Sequence, residues 1–513
     1  MKKSLSKSNE RKIGAVLSYV QMALSIITGL LYTPLMIRLM GQEEYGLYGT
    51  VSSFVSMLGL LDLGFTSSYV KYFTKYRIEN EYDKLNGFNS LFSLVFLVIS
   101  VIAAALGILF SFNLDWIFST GLTSAEYEKA RIMVILLTVS VALGFLTNVF
   151  TSYISANQKF VFTKTFGLAT TILTVVVNIA VLMLHGGAVG LVCVSLVFSI
   201  ITKIVYIFYA FKNGLKFSIK NIPKGVFKEV FVFSGLIAVN MIVDKVNLGI
   251  DSVLLGRFCG TATVAIYTVG ASINSHFTNF STAISGIFTP HVHELVCSHE
   301  MDSQEQRDVL TAFFTKVGRI QFLLLGLILS GFVIFGRQFV YLWAGEGYDD
   351  AYYIALLLMG PSIIPLIQNV GIEIQRAENR HHYRSVIYGL TAILNFAISI
   401  FLCQIWGGIG SATGTAIATL IANCLIMNIV YHKKINIDMI SFWKSILKQF
   451  AGMLPAILIG VVVFKFIDTS TILSFILGVI AYVIVYCAFV WKFSMNDYEQ
   501  NLIKSVLKKV KRK

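Results

Sequence analysis

The stretch Val230–Phe258, VFVFSGLIAVNMIVDKVNLGIDSVLLGRF, is largely apolar. At about 1.5 Å of rise per residue it is long enough to cross a bilayer core as a helix. Within it stand Asn240, Asp244, Asn247 and Asp251, spaced four, three and four apart. At about 100° per residue those spacings put all four on one helix face, with Leu, Ile and Val elsewhere. Lys245 lies beside that face, near the middle of the span. Ionisable groups at such depth are costly, so they turn toward a watery cavity or a partner rather than lipid. One reading is a set of paired charges holding neighbouring helices together. The other, favoured by a stripe that runs along the span, is a helix lining a path.

Composition carries the same message outward. Of 513 residues 56% are hydrophobic and 13% charged. About a quarter of a soluble domain is charged, so an ordinary soluble enzyme is excluded. Apolar runs recur from Ile13 to Trp491, the mark of a polytopic helical membrane protein. The six cysteines form no close pair, which suggests neither a disulfide framework nor a zinc site. A net charge of +14 could point to nucleic acid. The basic residues instead sit in alternate loops, as cytoplasmic loops do beside an anionic leaflet, and nucleic acid is not expected as a partner. Lys2, Lys3, Lys7, Arg11 and Lys12 precede an apolar run too long for a signal-peptide core, so the first span is expected to be retained.

About fourteen spans follow from the apolar runs. With an even count both termini lie on one side. Loops on that side hold Lys71, Lys75, Arg77 and Lys84, then Lys212, Lys216, Lys220, Lys224 and Lys228. Arg376, Arg380 and Arg384 come next, and the basic tail closes the chain. The opposite side holds little beyond Arg38, Lys129, Arg131, Arg257, Arg337 and Lys465. Both termini are therefore expected to be cytoplasmic.

An internal repeat appears at an offset of roughly 220 residues, as transporter folds are built. Arg38-Leu39-Met40-Gly41, followed by Tyr48, recurs as Arg257-Phe258-Cys259-Gly260, followed by Tyr267. Gly187-Ala188-Val189-Gly190 recurs as Gly407-Gly408-Ile409-Gly410. Such halves point the same way, related by an axis along the membrane normal. The resulting expectation is an all-α protein of two six-helix bundles, 13–211 and 230–432, joined by a cytoplasmic linker, 212–229. A short N-terminus, 1–12, precedes them; two further helices, 433–491, and a basic cytoplasmic tail, 492–513, follow.

Polarity is unequal among the spans. The second carries Asp62, and the eighth Asn274, His276 and Asn279 with several serines and threonines. These spans, with the first and seventh, are expected to wall a cavity. Cations in or near it are Arg38, Lys203, Lys245 and Arg257, which suit diphosphate or acidic sugars. Asp62, Asp244, Asp251 and Glu373 could balance them or carry a coupling proton or sodium ion. For each residue a helix-to-helix ion pair is the competing role. Pro34, Pro361 and Pro365 interrupt helices and are hinge or gate candidates.

Catalytic and cofactor motifs are not found. No G-x-x-x-x-G-K-[ST] loop is present. Gly408-Ile409-Gly410 with Gly414 opens a membrane helix without a preceding strand, so helix packing explains it better than a dinucleotide. His293-Glu294 has Cys297 where a second zinc-binding histidine would stand. His291, His293, Cys297 and His299 make a weak metal cluster, and no metal or other cofactor is expected. No catalytic residue is assigned, and no enzyme is expected.

The segment Thr33–Phe73, TPLMIRLMGQEEYGLYGTVSSFVSMLGLLDLGFTSSYVKYF, resembles the polysaccharide transporter branch of the multidrug/oligosaccharidyl-lipid/polysaccharide exporter superfamily. The matching features are Gly41, Tyr45 and Gly46 in a Gly-x-x-x-[Tyr/Phe]-Gly turn, then Asp62 and Gly64 in an Asp-x-Gly element. Asp251 before Leu254-Leu255-Gly256-Arg257 also looks like its counterpart there. The resemblance implies a V of two bundles around a central cavity. It also implies alternating-access flipping of an undecaprenyl-diphosphate oligosaccharide to the outer leaflet, for capsule, exopolysaccharide or other surface polysaccharide. The alternatives are a cation-coupled multidrug or small-solute exporter and a peptidoglycan-precursor flippase. An H⁺ or Na⁺ gradient or the membrane potential would drive it. Expected partners are the lipid-linked oligosaccharide, membrane lipids and other polysaccharide-assembly membrane proteins. The expected setting is the bacterial cell membrane, with the chain a monomer.

Overall fold

The computed structural model describes residues 7–118, 122–222, 225–297, 304–378, 380–464 and 471–511. The side chains of Asn240, Asp244 and Asn247 lie outside the described residues. A chain in lipid must satisfy its backbone polar groups internally, and helices do so within one segment. Among the described residues every regular element is helical. Among the described residues eleven stretches are long and apolar enough to cross a membrane. One of them, His382–Lys433, is 52 residues long and holds a sharp break at Gly407, enough for two crossings. The polar-striped helices Val226–Phe258 and Thr261–Cys297, of 33 and 37 residues, are also long enough. The chain is an all-α polytopic membrane protein.

Two compact units emerge. The first comprises Met1–Thr268 with Cys403–Gly407. Its elements are α1 (Lys7–Met40), α2 (Gln42–Ser56), a 3₁₀ turn (Met57–Asp62), α3 (Phe65–Ile78), α4 (Tyr82–Phe112) and α5 (Leu114–Ile117). After these come α6 (Ser124–Ala156), α7 (Phe160–Met183), α8 (Gly187–Lys212), α9 (Val226–Phe258) and the start of α10 (Thr261–Cys297). Helix α6 packs between α4 and α8, α1 lies along α7, and α2 and α3 pack on α9. An aromatic core fills the space between α3 and α4. Phe88 and Phe92 pack at a tilt beside Tyr69, whose hydroxyl donates to Asn89 Oδ1 at 2.6 Å.

The second unit holds the rest of α10 and continues with α11 (Gln304–Ala344), α12 (Asp349–Ile367), α13 (Asn369–Ala377) and, apart from Cys403–Gly407, α14 (His382–Thr419). A π-helical turn (Leu420–Ile426), α15 (Met427–Lys433), α16 (Met439–Phe464), α17 (Ile472–Phe493) and α18 (Asp497–Lys511) complete it. Helix α11 packs on α12, α16 and α17. Its polar groups are turned inward: Gln321 Nε2 donates to Ser281 Oγ at 2.9 Å. Large apolar side chains point outward, as with Leu473, Leu477 and Ile484 on α17, the distribution lipid selects.

The two sequence repeats have matching backbones. Gly41 and Gly260 have φ of 80° and 85°; Gly187 and Gly407 have φ of 56° and 55°. A left-handed conformation at equivalent positions explains why glycine recurs there. The stretch from Tyr45 to Val70, which the apolar pattern predicts as one helix, is broken. Leu63 and Gly64 take left-handed conformations, φ 45° and 78°, between the 3₁₀ turn and α3. Asp62 sits at that break.

Candidate functional site

Three helices of the first unit carry polar stripes that converge. On α6 the stripe is Gly144, Thr147, Asn148 and Thr151; on α7 it is Thr170, Thr171, Thr174 and Asn178; on α8 it is Ser195, Ser199, Thr202, Lys203 and Tyr206. Spacings of three and four place each set on one helix face. With Tyr32 of α1 and Tyr48 of α2 they enclose a pocket of about 550 Å³. That lies within the range of small-ligand sites. Membrane helices bury polar side chains inward, which is why the stripes meet.

Lys203 is half-buried in the pocket wall. Its ammonium donates to Ser140 O at 2.7 Å and to Ser199 Oγ. Both acceptors are uncharged. An ammonium has three N–H donors, so one remains for the pocket. None of the described lining residues is acidic. Behind the wall Asn148 Nδ2 donates to Asp62 Oδ1 at 3.4 Å and to Thr66 Oγ1 at 3.3 Å, while Thr66 Oγ1 donates to Asp62 Oδ1 at 2.5 Å. Asp62 is therefore buried against the chain break and faces Asn148, not open space.

The other sequence candidates are dispersed. Arg38 is exposed near the end of α1. Lys245 is half-buried on α9. Arg257 closes the same helix, with its guanidinium 5.6 Å from the Phe258 ring centre. Neither Arg38, Lys245 nor Arg257 lines the pocket that Lys203 enters. Asp251 is buried and accepts a hydrogen bond from Tyr267 Oη at 2.7 Å. Tyr267→Phe removes that bond and is expected to cost about 1–3 kcal/mol, read as a lower midpoint in thermal unfolding of the detergent-solubilised protein.

In the second unit Asn274, His276 and Asn279 are half-buried on α10. Asn274 Oδ1 and His276 Nδ1 have no hydrogen-bond partner among the described residues. Glu373 pairs with Arg376 of its own helix at 2.7 Å. Pro34 lies inside α1, and Pro361 and Pro365 inside α12, which gives way to α13 at Gln368. Pro361 also lines a mostly apolar pocket of about 730 Å³ with Tyr353, Thr413 and Leu420. Among the described residues no group of three or more His, Cys, Asp or Glu is placed to hold a metal. His291 lies 3.4 Å from Glu294 instead; the side chains of His293 and Cys297, and His299 altogether, lie outside the described residues.

The Lys203 pocket has more polar wall than its lysine suggests. Thr147, Asn148, Thr171, Asn178 and Ser199 escape a reading of one span at a time, because serine and threonine are ordinary residues inside membrane helices. Aligning the stripes of three successive spans is the signal that finds them.

Residues 12–293, more than half of the chain, match the family described as "Polysaccharide biosynthesis protein". The chain belongs to this family. A relative named "Putative O-antigen transporter", from Shigella flexneri, is 20% identical over 388 residues, covering 75% of this chain and 89% of that one. Among solved structures the family member is similar to a lipid II flippase, MurJ, in an inward closed conformation. The TM-score is 0.68 at 16% identity, over 93% of this chain and 97% of that one. It is also similar to an inward-facing multidrug resistance MATE transporter of the MOP superfamily, with a TM-score of 0.59 at 13% identity, over 79% and 96%. The fold is the one seen in these two solved structures, a flippase and a transporter by their names.

Proposed function

We propose that the chain is a flippase for a lipid-linked oligosaccharide, moved from the inner to the outer leaflet of a bacterial cell membrane for surface polysaccharide synthesis. The carrier lipid is undecaprenyl diphosphate. Its polyprenyl tail stays in lipid while the sugars and diphosphate cross through a polar cavity by alternating access. What supports this reading is the family match, whose span from residue 12 to 293 takes in Lys203, Lys245, Asp251 and Arg257. The relative's name, O-antigen transporter, points to the same class of cargo. Lys245 and Arg257 are cations that engage the diphosphate, and a cation gradient or the membrane potential supplies the drive. Both termini face the cytoplasm, where the basic loops meet anionic lipid.

The test is translocation of a fluorescent undecaprenyl-diphosphate oligosaccharide in vesicles holding the purified protein. Lys245→Ala and Arg257→Ala are each expected to slow it by about tenfold or more, a barrier change of about 1.4 kcal/mol. Unchanged rates in both variants would overturn the assignment of these cations. No movement of the lipid-linked sugar by the parent protein, with gradient-driven efflux of small solutes in its place, would overturn the flippase reading itself.

A further inference from the structure

The pocket of the first unit has donors and acceptors arranged for one kind of ligand. Thr147, Thr151, Thr171 and Ser195 each donate their hydroxyl hydrogen to a carbonyl of their own helix, at 2.9, 3.0, 2.9 and 2.9 Å. A threonine or serine so bonded has spent its only donor and presents oxygen lone pairs to the pocket. Thr170 does the same toward Gly167 O at 3.0 Å. The wall is thus rich in acceptors. It suits a ligand that brings its own O–H donors, and it repels one that is all acceptor, such as a diphosphate.

Two further observations point to an occupant. Asn178 is only 8% exposed, and its Oδ1 makes no well-formed hydrogen bond among the described residues; its neighbour Tyr32 Oη, equally without one, interacts with it only loosely. Buried polar atoms are rarely left short of good hydrogen bonds, and a ligand or water that reaches this pair supplies them. Lys203 supplies one positive charge, and none of the described lining residues is acidic; Asp62 lies behind the wall, bonded to Asn148 and Thr66. One ammonium balances one carboxylate. The two or more charges of a diphosphate would need a second cation, and no other lysine or arginine is among the described lining residues. The rings of Tyr48, Tyr206 and Phe198 add flat apolar surface, against which the C–H faces of a sugar pack.

From this geometry we infer that the pocket is a subsite for an acidic sugar, a polyol bearing a single carboxylate of the hexuronate kind, with Lys203 holding the carboxylate. The inference rests on the flippase reading for its biological cargo, and it deepens that reading by naming a sugar class within the oligosaccharide. The diphosphate belongs elsewhere, with Lys245 and Arg257.

Calorimetric titration of the full-length protein in detergent tests it, with sodium glucuronate, glucose and inorganic pyrophosphate as probes. Glucuronate is expected to bind at least about tenfold more tightly than glucose, the margin of about 1.4 kcal/mol that one desolvated charge pair readily supplies. Lys203→Met is expected to remove the tenfold margin, so that glucuronate and glucose bind equally in that variant. Lys203→Arg keeps the charge, and a preference for glucuronate retained in that variant separates loss of charge from loss of fold. Asn178→Leu is expected to weaken both sugars, because it removes an acceptor and fills space.

Glucuronate binding that survives in Lys203→Met overturns the assignment, as does absence of saturable glucuronate binding in the parent protein. Pyrophosphate binding as tight as glucuronate, and lost in Lys203→Met, would make the site a phosphate site and overturn the sugar class. These titrations read no translocation. If glucuronate binds as expected while vesicles move no lipid-linked oligosaccharide, the flippase reading fails and the subsite stands. If a neutral lipid-linked oligosaccharide is flipped while glucuronate does not bind, the subsite fails alone.

Discussion

Replacing Arg319 by methionine, or Glu499 by glutamine, is expected to cost about 3–5 kcal/mol of stability, among the largest effects of any single change in the chain. Arg319 of α11 and Glu499 of α18 are 7% and 3% exposed and meet through two parallel bonds, Nε to Oε1 at 2.6 Å and Nη2 to Oε2 at 2.9 Å. All five Arg319 N–H donors are used. Arg319 Nη2 donates to Ser494 O at 2.9 Å and Nη1 to Ser445 O at 3.1 Å. Glu499 Oε2 accepts from Asn496 N at 2.9 Å, and Asn496 Oδ1 accepts from Glu499 N, a reciprocal cap on α18. Removing one partner leaves a buried charge alone, and that penalty, not the attraction of the pair, sets the magnitude.

Two consequences separate this pair from ordinary packing. The double variant Arg319→Met/Glu499→Met is expected to regain most of the lost stability, since neither charge is then orphaned. Release of α18 also opens the tail, so trypsin is expected to cut at the exposed Lys504 faster in each single variant than in the parent. Thermal unfolding in detergent with a timed digest reads both effects. Single variants that melt and digest like the parent would show that α18 is held by its apolar contacts alone.

Much of the architecture was legible in the chain before any coordinates, for a physical reason. Lipid forbids unpaired backbone, so long apolar runs become helices. The repeat was legible too, because Gly41 and Gly260, and Gly187 and Gly407, answer the same backbone demand twice. What stayed hidden depends on contacts between distant segments. Arg319 merely bounds a loop in the linear pattern, and its partner lies 180 residues away. The break at Leu63 and Gly64 is masked by the apolar residues that flank it. Lys203 stands out as a charge, but its hydroxyl surroundings come from α6 and α7, and no single-helix periodicity joins them. Asp251 was legible as a polar residue facing inward; its bond to Tyr267, across the turn into α10, was not.

Gly46 illustrates how a motif that reads as a signature is explained by packing. A Cβ at this position would lie 1.8 Å from Thr261 O and 2.6 Å from Thr261 C. Both are backbone atoms at the first turn of α10, so no side chain can swing aside. That turn is itself pinned, because Thr261 Oγ1 donates to Glu126 Oε1 at 2.7 Å, and Glu126 closes the capping box of α6 with Thr123. Relief of the clash must therefore move α2 away from α10 or break the pinned turn. Gly46→Ala is expected to cost about 1–3 kcal/mol, the usual range for overpacking. Gly46→Leu exceeds what the site can absorb and is expected to abolish recovery of folded protein from the membrane. Gly360→Ala is the control, since nothing lies within 4 Å of a Cβ there inside α12. It is expected to be neutral or slightly stabilising, because alanine favours the helix by about 0.5–1 kcal/mol over glycine. Monodisperse yield and melting midpoint compare the three variants. Equal behaviour of Gly46→Ala and Gly360→Ala would mean that α2 and α10 are not in backbone contact, and the glycine would then need a different reason to be there.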